Sequence, residues 1–145
     1  MSVTVKNIVL WKKEVENGIG ILAQNLEPVA RTGADLHVVM AYRYTGDKTK
    51  AEIELYPITG RKSIAAAQKT GFSAASNRTL LVEGDNKPGL GYAIAQAIAD
   101  ADVNVSFLVA QVIGRRYSAV VGFETVEDAK KAATLIKKAT ASKRK

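Results

Sequence analysis

The sequence predicts an α+β fold in which one unit is built twice. Three observations carry this: an internal repeat, short runs in which apolar residues alternate, and apolar stripes at helical spacing that begin just after glycines. The repeat sets Ala34-Asp35-Leu36-His37-Val38-Val39 beside Ala101-Asp102-Val103-Asn104-Val105-Ser106. Each block follows a Gly-x-Gly, namely Gly18-Ile19-Gly20 and Gly89-Leu90-Gly91, and each of these follows an aliphatic run, Ile8-Val9-Leu10 and Leu80-Leu81-Val82. The distance between copies shrinks slightly from the glycines to the Ala-Asp pairs, which places a small insertion in the first helical segment. Gly20 pairs with Gly89 as readily as with Gly91, so the exact register at the glycines stays open.

Each copy reads in the same order. A strand opens it, about Val3 to Trp11 and Arg78 to Glu83, and a polar, glycine-containing loop follows. A helix comes next, about Ile21 to Thr32 and Leu90 to Ala101. In the second copy Leu90, Ile94, Ala97, Ile98 and Ala101 share one helical face. Pro28 lies inside the first helix and is expected to kink or shorten it. A second strand runs near Asp35 to Tyr44 and Asn104 to Ile113, and turns at Thr45-Gly46-Asp47 and Gly114-Arg115 fold it back on a third. In Ala51-Glu52-Ile53-Glu54-Leu55 apolar residues alternate with acids, which predicts one buried and one solvated face; Tyr117, Ala119, Val121 and Phe123 alternate likewise. A last helix spans Arg61 to Thr70, stopped by Gly71, and in the second copy starts at Thr125 with Asp128 in a capping-box-like arrangement. A weak closing strand near Phe72 to Ala74 ends the first copy, and the second has none after Lys138.

The order β-α-β-β-α, with an optional closing strand, is ferredoxin-like: antiparallel sheets with helices packed on one face. The expected partition is repeat 1 over 1–74, a linker over 75–77, repeat 2 over 78–139 and a basic tail over 140–145. A unit of this size is marginal alone and leaves sheet edges open, so pairing of units, within a chain or in a homodimer, is expected.

Composition narrows the chemistry. The 145 residues are 47% hydrophobic and 24% charged, as in ordinary globular chains. There is no cysteine and one histidine, His37, so disulfides, thiol catalysis, iron–sulfur clusters and multi-histidine metal sites are excluded, and no cofactor is expected. No apolar run is long enough to span a bilayer and no secretory signal is evident, so no membrane association and a cytoplasmic location are expected. The net charge is +7, and most of the excess lies beyond Val126, with Lys137-Lys138 and Lys143-Arg144-Lys145. Glu52 and Glu54 read as charge balance on a solvated face, Trp11, Tyr42 and Tyr44 as sheet packing, and His37 as a surface or interface side chain. No catalytic constellation is found, and the chain is expected not to be an enzyme.

One loop stands apart. In Asp85-Asn86-Lys87-Pro88-Gly89-Leu90 a strand ends and a helix begins, with Pro88 suited to the first helical position and Asp85 or Asn86 to capping. Unpaired amides there, at Gly89, Leu90 and Gly91, suit a small carboxylate. An ordinary tight turn would use the same residues.

With this loop and the repeat together, the sequence resembles a stand-alone tandem pair of ACT domains over about Val5 to Lys138. The resemblance rests on Asp85-x-x-Pro88-Gly89-Leu90, the aliphatic-Ala helix, and Asp102-Val103-Asn104-Val105. It departs where Asp102 replaces the family's usual glycine and where the first copy, Asn17-Gly18-Ile19-Gly20, lacks the proline. The resemblance implies a non-catalytic regulatory module that binds a small amino acid or related metabolite between two units. It implies a ligand set of Asp85, Asn86, Lys87, Pro88, Gly89 and Leu90, with Asn17, Gly18, Ile19 and Gly20 in the first copy and a wall from Val38, Val39 and Met40. It also implies an enzyme of amino-acid metabolism as partner. The alternative is an RNA-binding or partner-regulatory subunit that uses the basic C-terminal helix and tail. Aromatic residues form only 6% of the chain, which counts against nucleic acid as partner.

Overall fold

The computed structural model describes residues 3–141 and contains eight strands and four helices. The strands are β1 (Val3–Ile8), β2 (Trp11–Glu16), β3 (Val38–Arg43), β4 (Lys50–Tyr56), β5 (Ser73–Ala74), β6 (Thr79–Asp85), β7 (Val105–Ile113) and β8 (Arg116–Phe123). The helices are α1 (Ile21–Ala30), α2 (Arg61–Thr70), α3 (Leu90–Asp100) and α4 (Val126–Thr140). Apart from the first strand, the element order is the expected one, and α1, α2 and α3 lie within two residues of their expected bounds. Residues Lys143-Arg144-Lys145 of the basic tail lie outside the described residues. Among the described residues no helix is long and apolar enough to cross a membrane.

The partition differs from the expected one. The chain forms two compact units, and the second is nested inside the first: residues 9–76 make one, and residues 3–8 join 77–141 to make the other. The single strand expected from Val3 to Trp11 is two strands in two different sheets. Val9 and Leu10 are the point where the chain leaves one sheet for the other.

The outer unit has the strand order β1-β6-β8-β7. β1 pairs antiparallel with β6 from Val3 opposite Gly84 to Ile8 opposite Thr79. The second copy lacks a closing strand of its own, and β1 fills that edge from the other end of the chain. Val3 and Val5 pack on a core of Leu80, Val82, Ile94, Ile98, Val121 and Ile136. Burying such side chains stabilises by roughly 1.5–3 kcal/mol each. α4 covers this core with Ala129, Ala132, Ala133 and Ile136, and the hydroxyl of Thr125 accepts the Asp128 amide at 3.0 Å, as the capping pattern predicts.

The nested unit is a complete β-α-β-β-α-β with the order β3-β4-β2-β5. Its core joins Val15, Val29, Ile53, Leu55, Ala67 and Phe72, with Trp11 packed against it. The weak closing strand is β5, two residues paired with Trp11 and Lys12. α1 ends two residues after Pro28, which removes a backbone donor from the helix.

Equivalent residues in the two units show where the insertion lies. Gly20 corresponds to Gly89, and Gly33 to Asp102, each pair with positive φ. Paired opposite the core residues Leu55 and Val121, Val39 corresponds to Leu108. These pairs all share one spacing, so the helical segments have equal lengths and the Ala34-Asp35 likeness to Ala101-Asp102 is out of register. The extra residues are in the β3–β4 hairpin, 44–49, against Gly114 and Arg115 in the β7–β8 hairpin. Asp102 holds φ of 60° where the nested unit has Gly33 at 81°, which explains why glycine suits the position.

The β1–β6 contact is close. A Cβ on Gly84 would meet the Cα of Val3 at 2.8 Å and its Cγ1 at 2.7 Å. The Gly84→Ala variant is expected to loosen β1 and to cost about 1–3 kcal/mol, measured as a lower urea midpoint.

Candidate functional site

The two strand-to-helix turns fold alike. β2 ends at Glu16, Asn17 to Gly20 turn, and α1 begins at Ile21; β6 ends at Asp85, Asn86 to Gly89 turn, and α3 begins at Leu90. The Asn17 amide donates to the Thr49 carbonyl at 2.8 Å, and the Asn86 amide to the Arg115 carbonyl at 2.7 Å. The amides of Ile21 and Leu90 donate to Gly18 and Lys87 at 3.3 and 3.1 Å. Gln24 and Ala93 donate to Gly20 and Gly89, both at 3.0 Å. Gly20 and Gly89 have φ of 81° and 86°, a left-handed backbone that fixes glycine at both positions. The open choice of register therefore resolves to Gly20 with Gly89, and Ile19 stands where the other turn has Pro88.

Three local expectations change. Pro88 is not the first helical residue but lies in the turn, two residues ahead of it. Neither α1 nor α3 has a side-chain cap, and the cap position is the left-handed glycine. Asp85 instead pairs with Arg116 at 3.1 Å, while Asn86 serves through its main chain. The Leu90 amide, expected to be free, is taken by Lys87. The Gly89 amide and the next two helix amides, Gly91 and Tyr92, have no acceptor among the described residues, and neither do Gly20, Leu22 and Ala23 at α1. Neither helix has an acidic residue in its first turn, so the positive end of each helix dipole is uncompensated.

In the nested unit this turn borders a cleft of about 420 Å³. Asn17, Gly18, Gly20, Ile21 and Leu22 form one side. Ala41, Tyr42 and Arg43 of β3 and Val15, Ala51, Glu52 and Ile53 of β2 and β4 form the rest. The structure thus brings Asn17, Gly18 and Gly20 together, while the side chain of Ile19 is fully exposed. The wall comes from Ala41 to Arg43, further along the strand that carries Val38, Val39 and Met40. The Asn17 side chain donates to the Lys48 carbonyl at 3.1 Å, which ties the turn to the longer hairpin. Arg43 is exposed and has no ion-pair partner among the described residues. Sequence reasoning missed Ala41, Arg43 and Ala51; strand alternation placed them on one face, but no pattern marked the turn that lies opposite.

The β4 carboxylates are not solvated. Glu52 and Glu54 are 7% and 3% exposed. The Tyr42 hydroxyl donates to Glu54 Oε2 at 2.7 Å, the Tyr44 hydroxyl donates to Glu52, and Lys12 Nζ lies 3.5 Å from Glu52. Buried charge persists only when paired in this way, so alternation with acids here signals a polar network on the second face of the sheet. His37 is exposed, pairs with Asp35 at 3.2 Å and meets the Tyr56 ring edge-on.

β3 and β7 are edge strands, each paired on one side only. β7 exposes Leu108, Val109, Val112 and Ile113, so apolar side chains face outward on both of its faces.

Comparison with solved structures shows the fold. A Bacteroides thetaiotaomicron protein, BT0572, matches with a TM-score of 0.69 and 12% identity over 87% of this chain and 85% of that one. The ligand-free regulatory subunit of aspartate kinase from Thermus thermophilus matches with a TM-score of 0.64 and 14% identity over 97% and 98%. The corresponding subunit from Thermus flavus matches with a TM-score of 0.60 and 15% identity over 96% and 97%. The chain therefore shares its ferredoxin-like α+β fold with these structures, along nearly the whole length of the two regulatory subunits. No protein-family profile matches the sequence, and no curated protein matches it.

The tyrosine–glutamate pairs give a pH dependence. Tyr42 is held above its ordinary 10.0 by burial first and by Glu54 second; Tyr44 is raised by its hydrogen bond to Glu52 first and by burial second. On unfolding both phenols ionise at lower pH, so the stabilisation is whole below pH 10 and is lost as pH rises through the folded values. Urea midpoints are expected to fall above about pH 10, and the fall should be shallower in the Tyr42→Phe/Tyr44→Phe double variant.

Proposed function

We propose that the chain is a non-catalytic regulatory module that binds a small amino acid or a related metabolite. The observation that carries this reading is the duplicated turn. A left-handed glycine, two free helix amides and an uncompensated helix dipole recur at the same place in both units. That arrangement presents fixed donors to a carboxylate without the cost of reorganising them. The fold supports the reading, since two of the matched structures are described as regulatory subunits of aspartate kinase, an enzyme of amino-acid metabolism.

The module acts through association. The open edge of β7 is apolar and uncharged along its length, which suits pairing with a second copy in a homodimer. An enzyme of amino-acid metabolism is the partner that would read the bound state.

The direct test is thermal unfolding of the full chain with each of the twenty protein amino acids at millimolar concentration. A ligand at 100 times its dissociation constant adds about 2.7 kcal/mol, which raises the midpoint by several degrees. A shift confined to one chemical class of amino acid is the expected result, and no shift with any of them would overturn the reading.

A further inference from the structure

The two units share their turns but differ at a few positions around them. Ala51 on β4 lies opposite Val15, and Tyr117 on β8 lies opposite Gly84, in equivalent register. The equal turn bonds from Asn17 to Thr49 and from Asn86 to Arg115 fix this correspondence independently. Where the nested unit has Ala51, Val15 and Leu22, the outer unit therefore has Tyr117, Gly84 and Gly91. Tyr117 is 6% exposed and packs in the same cluster as Leu90 and Ile94. Its hydroxyl lies 3.7 Å from where a Cβ on Gly91 would stand, under the first turn of α3. It is also a buried polar atom without a hydrogen-bond partner among the described residues. The same correspondence along the edge strands puts Val112 in the outer unit where the nested unit has Arg43.

We infer that, among the described residues, the cleft of the nested unit is a small-molecule site and that Tyr117 fills its counterpart in the outer unit. The site takes a carboxylate-bearing small molecule, with Arg43 as its counter-ion and the space beside Ala51 for the rest of the ligand. Arg43 has no ion-pair partner among the described residues, Glu52 in the same cleft lining is engaged by Tyr44 and Lys12, and a guanidinium offers two parallel donors to a carboxylate. The cleft, about 420 Å³, has room for an amino acid. At the equivalent places the outer unit has the buried ring of Tyr117 and the uncharged Val112, so its turn is assigned a structural role. This inference rests on the amino-acid-binding reading and assigns that reading to one unit.

The experiment is calorimetric titration of the full chain with each of the twenty amino acids, repeated on three variants. Arg43→Val copies the outer unit at an exposed edge position, where folding is not at stake, and is expected to weaken binding by about tenfold or more. Ala51→Tyr with Leu22→Gly copies the outer unit's plug and is expected to abolish binding; circular dichroism reports whether it is folded. Tyr117→Phe keeps the ring and removes the unpaired hydroxyl, and is expected to leave affinity and a stoichiometry of one per chain unchanged. Two equivalents per chain, undiminished binding by Arg43→Val, or loss of binding in Tyr117→Phe overturns the assignment while amino-acid binding stands. If no amino acid binds the unchanged chain, the binding reading itself fails and the assignment with it.

Discussion

The outer unit depends on a contact between the two ends of its own sequence. β1 is a strand of the sheet whose other members all lie beyond residue 78, so Val3 meets Gly84 only after the whole nested unit has been laid down. Without β1, β6 would be an open edge and Val3 and Val5 would be missing from the border of the core. Closing so long a loop costs entropy, but the cost grows only logarithmically with length. A nested unit that folds on its own contacts shortens the effective loop further, because its two ends emerge beside each other at Ile8 and Thr79.

Much of this was legible in the sequence because it rests on local rules. Alternation marked β4 and β8, a helical stripe marked α3, and Gly71 and Thr125 marked helix ends where the structure has them. The nesting was not legible, because Val3 to Trp11 reads as one uninterrupted strand and nothing local shows that its halves pair with different partners. The register of the repeat was nearly legible. Gly20 and Gly89 share a backbone conformation, whereas the Ala-Asp likeness is a coincidence of residues at different structural positions. The buried carboxylates were misread for a related reason: the tyrosines that satisfy Glu52 and Glu54 come from the neighbouring strand.

The candidate site shows the same division between local and non-local information. The turns were found from glycine, proline and the helix start. The cleft was not, because it exists where a turn, an edge strand and a small residue on a third strand converge. Ala51, which lines the cleft, and Tyr117, which is buried under the first turn of α3, occupy equivalent positions.

The composition of β7 has a consequence for the behaviour of the chain at high concentration. From Val103 to Gly114 there is no charged residue and no proline, and the strand is exposed along much of its length. Such a segment favours runaway sheet extension into fibrils once protein crowds together. The chain carries brakes against that outcome in its immediate surroundings. A bulge between Val105 and Phe107 breaks the flatness of the strand, Gly122 lets the Phe107 ring lie over it, and Asp102 with Arg115 and Arg116 brackets the segment with charge. The flanking charges and the bulge both oppose edge-to-edge pairing, so neutralising those charges is expected to favour aggregation through this strand.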